Sequence, residues 1–150
     1  MLLFFEKIIK KAIEERMKRN VSTLKKREQI VNDIAAFLKS KFDLSDTQIF
    51  IFGSFLTDRY IPGKSDIDIG IYSENREKAL DIQYELDMYL KEKQIKHDIV
   101  DMELHDKLLI NIPIMTYGKT LTEYESEEMF NYLVEMIKKH GIGIYNLYDC

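Results

Sequence analysis

Two aspartates, Asp66 and Asp68, stand one residue apart in an apolar run, and an eleven-residue spacer separates them from a Gly53-Ser54 pair upstream. Alternate residues of a strand point to one face, so in an extended run the two carboxylates would project together. Paired carboxylates of this kind suit hard divalent cations, which prefer oxygen ligands. Gly53 allows backbone angles closed to other residues and close approach of a ligand, while Ser54 offers an N–H and a hydroxyl. Acidic cation ligands beside a small polar turn suit a nucleoside triphosphate. The chemistry implied is nucleotidyl transfer, in which the cations neutralise the phosphates, orient the nucleophile and stabilise the departing pyrophosphate.

Such a site usually needs a third carboxylate, and Asp98 and Asp101 are the candidates. They differ in parity along one extended segment, so at most one shares the face of the metal pair. Asp98 is the choice because it lies mid-strand between His97 and Ile99, whereas Asp101 lies near the strand end and reads as structural. Asp98 would also be placed to take the proton of an attacking hydroxyl. Arg59 and Lys64, in the loop after the Gly-Ser pair, are candidates to neutralise triphosphate charge. His97, His105 and His140 lack metal-ligand spacing and read as surface or capping residues.

The elements that must position these groups follow from periodicity. Apolar residues from Leu2 to Met17 recur at helical spacing, and a second helix, capped by Ser22 or Thr23, carries Ile30, Val31, Ile34, Phe37 and Leu38 and stops near Lys41. Gln48 to Phe52 and Ile67 to Tyr72 read as strands joined by a turn-rich loop containing Pro62-Gly63. Ser73 is placed to cap a long helix from Glu74 to about Lys93, with Ala79, Leu80, Ile82, Leu86, Met88 and Leu90 facing inward. A third strand is expected at Ile95 to Met102, a short helical piece near Leu104 to Ile110, a fourth strand at Ile112 to Tyr117, and a last helix from Glu127 to Lys139 capped by Ser126. The apolar and aromatic tail from Gly141 is expected to dock. This order specifies an α+β fold with a mixed β-sheet, helices packed on one face, and N-terminal helices added. One domain over 1–150 is expected, with a helical extension at 1–45, a core at 48–121 and a C-terminal helix and tail at 122–150.

Bulk properties narrow the classes. A chain of 150 residues with 45% hydrophobic and 32% charged content can bury a core, which argues against disorder. Its net charge of −4 gives no support for broad nucleic-acid binding, so no direct nucleic-acid partner is expected. The sole cysteine, Cys150, can form no intrachain disulfide, which reads as cytoplasmic. Glu6 and Lys7 interrupt the apolar opening before a signal core or membrane span is reached, so no membrane association is expected. Self-association is left open.

Gly53-Ser54, then Ser65-Asp66-Ile67-Asp68-Ile69-Gly70, then His97-Asp98-Ile99-Val100-Asp101 resemble the nucleotidyltransferases of the DNA polymerase beta superfamily. Among these the chain is most similar to the minimal nucleotidyltransferases, the antitoxins of HEPN/MNT toxin–antitoxin modules. The likeness spans Gln48 to Leu121, about half of the chain. It implies Mg2+ held by Asp66, Asp68 and Asp98, ATP as substrate with its nucleotide held at Gly53, Ser54, Arg59 and Ser65, and transfer of AMP to a tyrosine of a HEPN toxin partner. Two departures stand out. The spacer is one residue longer than usual, and Phe55-Leu56-Thr57 replaces an arginine-bearing turn. The alternatives are a non-catalytic antitoxin acting by occlusion and an enzyme acting on a small molecule such as an aminoglycoside, although 150 residues leave little room for the helical domain such enzymes add.

Overall fold

The computed structural model describes residues 27–57, 59–103 and 108–140, together with residues 4, 6–12 and 14. In chain order its elements are α1 (Glu28–Lys41), β1 (Thr47–Phe52), a 3-10 turn (Gly53–Leu56), β2 (Ile67–Ser73), α2 (Arg76–Glu92), β3 (His97–Asp101), α3 (Leu108–Tyr117), β4 (Lys119–Thr120) and α4 (Glu127–His140). The four strands form one sheet in the order β3-β2-β1-β4. It is mixed, as expected: β1 runs antiparallel to β2 and β4, and β2 runs parallel to β3 with α2 as the crossover.

Alternation along β1 and β2 divides the core in two. Ile49, Ile51, Ile67, Ile69 and Ile71 point to one face, where Val31, Ile34 and Leu38 of α1 and Ile82, Leu86 and Leu90 of α2 cover them. Phe50, Phe52 and Tyr72 point to the other face and pack with Ile114 and Met115 of α3, Met129, Leu133 and Val134 of α4, and Ile9 from the N-terminal helical residues. The helices therefore lie on both faces, not on one. Strands β1 and β2 are apolar on both sides and had to be covered twice.

Helix caps differ from the expected ones in detail. The α2 cap is Asn75, whose Oδ1 accepts from the Lys78 N–H at 3.1 Å, not Ser73, which ends β2 with its Oγ accepting from Thr47 Oγ1. Leu80 and Met88 do not face inward: they are 51% and 50% exposed and share an outer ridge with Tyr84. Residues 79, 82, 86 and 90 already complete the i, i+3, i+4 stripe, and 80, 84 and 88 fall on the far side of it. Ser126 does cap α4, its Oγ accepting from the Met129 N–H at 3.2 Å. The cap expected at Ser22 or Thr23 and the docking of the tail from Gly141 lie outside the described residues.

The fourth strand is not at Ile112 to Tyr117, where it was expected. The segment Leu108–Tyr117 is a helix containing Pro113, and the fourth strand is the two-residue β4 pairing with Phe50 and Ile51. Buried residues at 111 and 113–116 leave the run without a polar face, so periodicity could not separate helix from strand. Among the described residues no helix is long and apolar enough to cross a membrane.

Candidate active site

The acidic residues gather at the end of the sheet where β1 stops and β2 and β3 begin. Asp66 immediately precedes β2, and its neighbour Ile67 donates its N–H to the Lys96 carbonyl at 2.9 Å, which ties the approach to β2 to that of β3. Asp68 is the second residue of β2, and the parallel register places it directly beside Asp98 of β3. Paired residues of adjacent strands share a face, so Asp68 and Asp98 project together, on the side opposite Ile67 and Ile69.

Register also brings the Gly-Ser turn to the same point, because Phe52 pairs with Asp68 and the chain turns at Gly53 immediately afterwards. Gly53 has φ +77°, and a Cβ built there would overlap Asp68 Oδ2 and come within 3.2 Å of its Cγ. Glycine is required here twice over, by backbone angle and by the carboxylate lying against it. Gly70 plays a related part lower in the sheet, where a Cβ would meet Met102 Sδ at 2.6 Å and Ile114 at 3.3 Å. Its missing side chain lets α3 close over β2.

Electrostatics mark Asp68 out. Burial first, and then the charges of Asp98 and Asp66, push its carboxyl up from 3.8 to about 6. Like charges held together in a half-buried place resist ionisation, and a cation between them would reverse the effect. Among the described residues no three acidic, histidine or cysteine side chains stand at mutual ligand spacing. The donor set nevertheless fits a hard divalent cation: it offers carboxylate oxygen alone, from adjacent strands, on one face.

The remaining sequence-identified residues are distributed unevenly. Ser54 is half-buried in the 3-10 turn, and its carbonyl accepts from the Thr57 N–H at 2.9 Å and from Thr57 Oγ1 at 2.8 Å. Ser65 uses its hydroxyl to accept from the Ile61 N–H at 3.0 Å, which makes it a staple of the loop before Asp66. Arg59 and Lys64 are exposed in that loop. Asp101 ends β3, three residues beyond Asp98 and so on the other face: Arg76 clamps it with two hydrogen bonds, one of 2.7 Å, and this pairing holds its carboxyl below the usual range. His97 turns to the other face of the sheet, where its Nδ1 donates to the Ile95 carbonyl at 2.8 Å and its Nε2 lies 2.7 Å from Asp87 Oδ1.

Two residues at the site were not singled out from sequence. Arg27 donates from Nη1 to the carbonyls of Phe55 and Thr57, and its guanidinium carbon lies over the Tyr60 ring, 5.0 Å from the centroid. Burial raises the Tyr60 hydroxyl's pKa, the Arg27 charge opposes this, and the Asp66 carboxylate adds to it, so this pair borders the acidic cluster. Neither contact leaves a local signal, since Arg27 is 28 and 30 residues from its carbonyl partners. Asp98 is exposed. A hollow of about 400 Å³ that touches it is lined otherwise by Gln83, Tyr84, Asp87, His97 and Ile99, on the α2 side of the sheet and not on the side where Asp98 meets Asp68. A slightly larger hollow, about 440 Å³, lies at the opposite end of β1 among Lys39, Leu44, Ser45 and Tyr124, away from the acidic cluster.

A mixed sheet that brings Asp68 of one strand beside Asp98 of the next, with Asp66 just before the first and a glycine-started turn against it, defines a nucleotidyltransferase-type core. The family model described as nucleotidyltransferase domain matches residues 31–142, and the chain belongs to that family. Poly(A) RNA polymerase protein 1 of Saccharomyces cerevisiae is 50% identical over 50 residues, which are 33% of this chain and only 8% of that protein. The fold is similar to that in a crystal structure of a mutant of the toxin-antitoxin MntA-HpeT, with a TM-score of 0.51 and 20% identity, covering 73% of this chain and 85% of that one. A crystal structure of a toxin-antitoxin with AMP-PNP aligns equally well, with a TM-score of 0.51 and 22% identity over 73% and 86% of the two chains.

Proposed function

We propose that this chain is an antitoxin-type nucleotidyltransferase that moves AMP from ATP onto a hydroxyl, the acceptor being a tyrosine of a HEPN-type toxin partner. The observation that carries the transferase reading is the register of β2 and β3, which sets Asp98 beside Asp68 with Gly53 packed on the same carboxylate. Asp66, Asp68 and Asp98 would hold divalent ions, Mg2+ in our reading, which supply charge neutralisation of the triphosphate. Gly53 and Ser54 would hold the phosphates, with Arg59 and Ser65 bordering the nucleotide. The acceptor oxygen bonds to the α-phosphorus, the bond from that phosphorus to its bridging oxygen breaks, pyrophosphate leaves, and the hydroxyl proton passes to Asp98. The exposure of Asp98 supports its role on the acceptor side.

The toxin partner is supported by the two toxin-antitoxin structures whose fold this chain shares, one of them with AMP-PNP. Purified chain incubated with labelled ATP, Mg2+ and the product of the adjacent gene tests the proposal: label should enter a tyrosine of that product and disappear with Asp66→Asn or Asp68→Asn. No transfer to any protein, with intact neutralisation of the partner, would favour a second reading, an antitoxin acting by occlusion. One observation speaks for that alternative. Phe55 and Leu56, which follow the Gly-Ser pair, are buried in the core, so those two turn positions present no cation to a phosphate.

A further inference from the structure

We propose that Arg27 is a positioning residue that holds the Gly53–Leu56 turn against Asp68 from outside the sheet. The inference rests on reading Gly53-Ser54 as the phosphate-holding turn. A 3-10 turn of four residues has little hydrogen bonding of its own, and its last carbonyls must find partners elsewhere. Here the Ser54 carbonyl is satisfied by Thr57, while the carbonyls of Phe55 and Thr57 both accept from Arg27 Nη1, the second at 2.9 Å.

The guanidinium is held in turn by two rings. Its carbon lies 5.3 Å from the centroid of Phe55 and 5.0 Å from that of Tyr60, and those rings meet edge-to-face at 4.8 Å. One side chain thus grips the turn by two carbonyls and by the faces of Phe55 within it and Tyr60 beyond it. Phe55 is wholly buried, so the grip connects the turn rigidly to the core shared with α1. Because Gly53 stands at φ +77° against the Asp68 carboxylate, any slackening of the turn moves backbone directly at the acidic cluster. Lysine would reproduce this arrangement only in part: its compact ammonium acts as a point charge, whereas the broad guanidinium meets the carbonyls while lying near both rings.

The test uses the full chain with ATP and magnesium as the probe, in wild type, Arg27→Ala, Arg27→Lys and Tyr60→Leu. Amide exchange of residues 53–57 should quicken in Arg27→Ala without nucleotide, and the Kd for magnesium-ATP should rise about tenfold, with Arg27→Lys and Tyr60→Leu in between. A merely structural arginine would lower the melting temperature while leaving the Kd and the graded order untouched, and that result overturns the proposal. Unchanged exchange in the turn overturns it as well. Wild-type chain that binds no magnesium-ATP would remove the nucleotidyltransferase reading itself, an outcome separable from loss of binding in the variants alone.

Discussion

Asp68→Asn should make the protein more stable while abolishing its response to nucleotide. The carboxyl of Asp68 is pushed from 3.8 to about 6 by burial and by the neighbouring charges of Asp98 and Asp66. At about 1.4 kcal/mol per pKa unit, the ionised form strains the native state by at most about 3 kcal/mol at neutral pH. The carboxyl is only partly buried, so solvent screening reduces this to about 1–2 kcal/mol. Asparagine keeps the shape and removes the charge. For a domain of this size the gain corresponds to a rise of about 3–6 °C in melting temperature in a chelating buffer.

The pH dependence follows from the direction of the shift. A carboxyl whose folded pKa lies above its unfolded value binds its proton more tightly in the native state, so its ionisation costs stability. The cost is absent below about pH 3.8, grows as pH rises through the interval, and is complete above about pH 6. Melting curves of wild type and Asp68→Asn should therefore converge near pH 4 and separate towards pH 7. With magnesium and ATP at about 100 times Kd, wild type should gain about 2.7 kcal/mol and the variant nothing, reversing their order. A variant less stable than wild type at neutral pH without metal, or a difference that does not close on acidification, would refute the reasoning about the acidic cluster.

Gly53→Ala should cost about 1–3 kcal/mol in chemical denaturation and weaken magnesium-ATP binding in titration calorimetry, because the new Cβ meets both an unfavourable φ and the Asp68 carboxylate. Gly70→Val should lower stability by about 1–3 kcal/mol through overpacking against Met102 and Ile114, with broadened side-chain NMR signals for α3. On α2, Leu86→Ala should cost about 2–5 kcal/mol, whereas Leu80→Gln on the exposed ridge should stay within about 0.5 kcal/mol, a contrast read in one set of urea curves. Arg76→Met should remove about 1 kcal/mol at neutral pH; the paired Asp101 has a lowered pKa, so that loss should fade as pH falls below about 3.8.

What sequence could show depended on whether the governing contact is local. The strands β1 and β2 alternate two apolar sets, and α1 ends where its stripe ends, so both were legible. Strand parity separated Asp98 from Asp101, a mid-strand position decided for Asp98, and the register sets Asp98 beside Asp68. Helix α3 was not legible, because a segment buried on several sides loses the period that identifies it. The outward turn of Leu80 and Met88 is invisible in composition, since apolar residues are common on surfaces and only the completed stripe decides. Arg27 could not be found at all, its partners lying across the fold and being backbone carbonyls that every residue possesses.

The arrangement of the acidic cluster depends on a parallel pair of strands. Had β3 run antiparallel to β2, a short hairpin could have joined them, and the register would have been set by that turn. A parallel pair needs a crossover, and α2 supplies it, so the position of Asp98 relative to Asp68 is decided by how α2 seats on the sheet. Two contacts hold that seat at the ends of β3. His97 bonds to Asp87 of α2 at the beginning of the strand, and Asp101 at its end is held by Arg76, the first residue of α2. His97 and Asp101 lock the strand in register from both ends, leaving Asp98 to meet its like-charged neighbour without the strand sliding to relieve the repulsion.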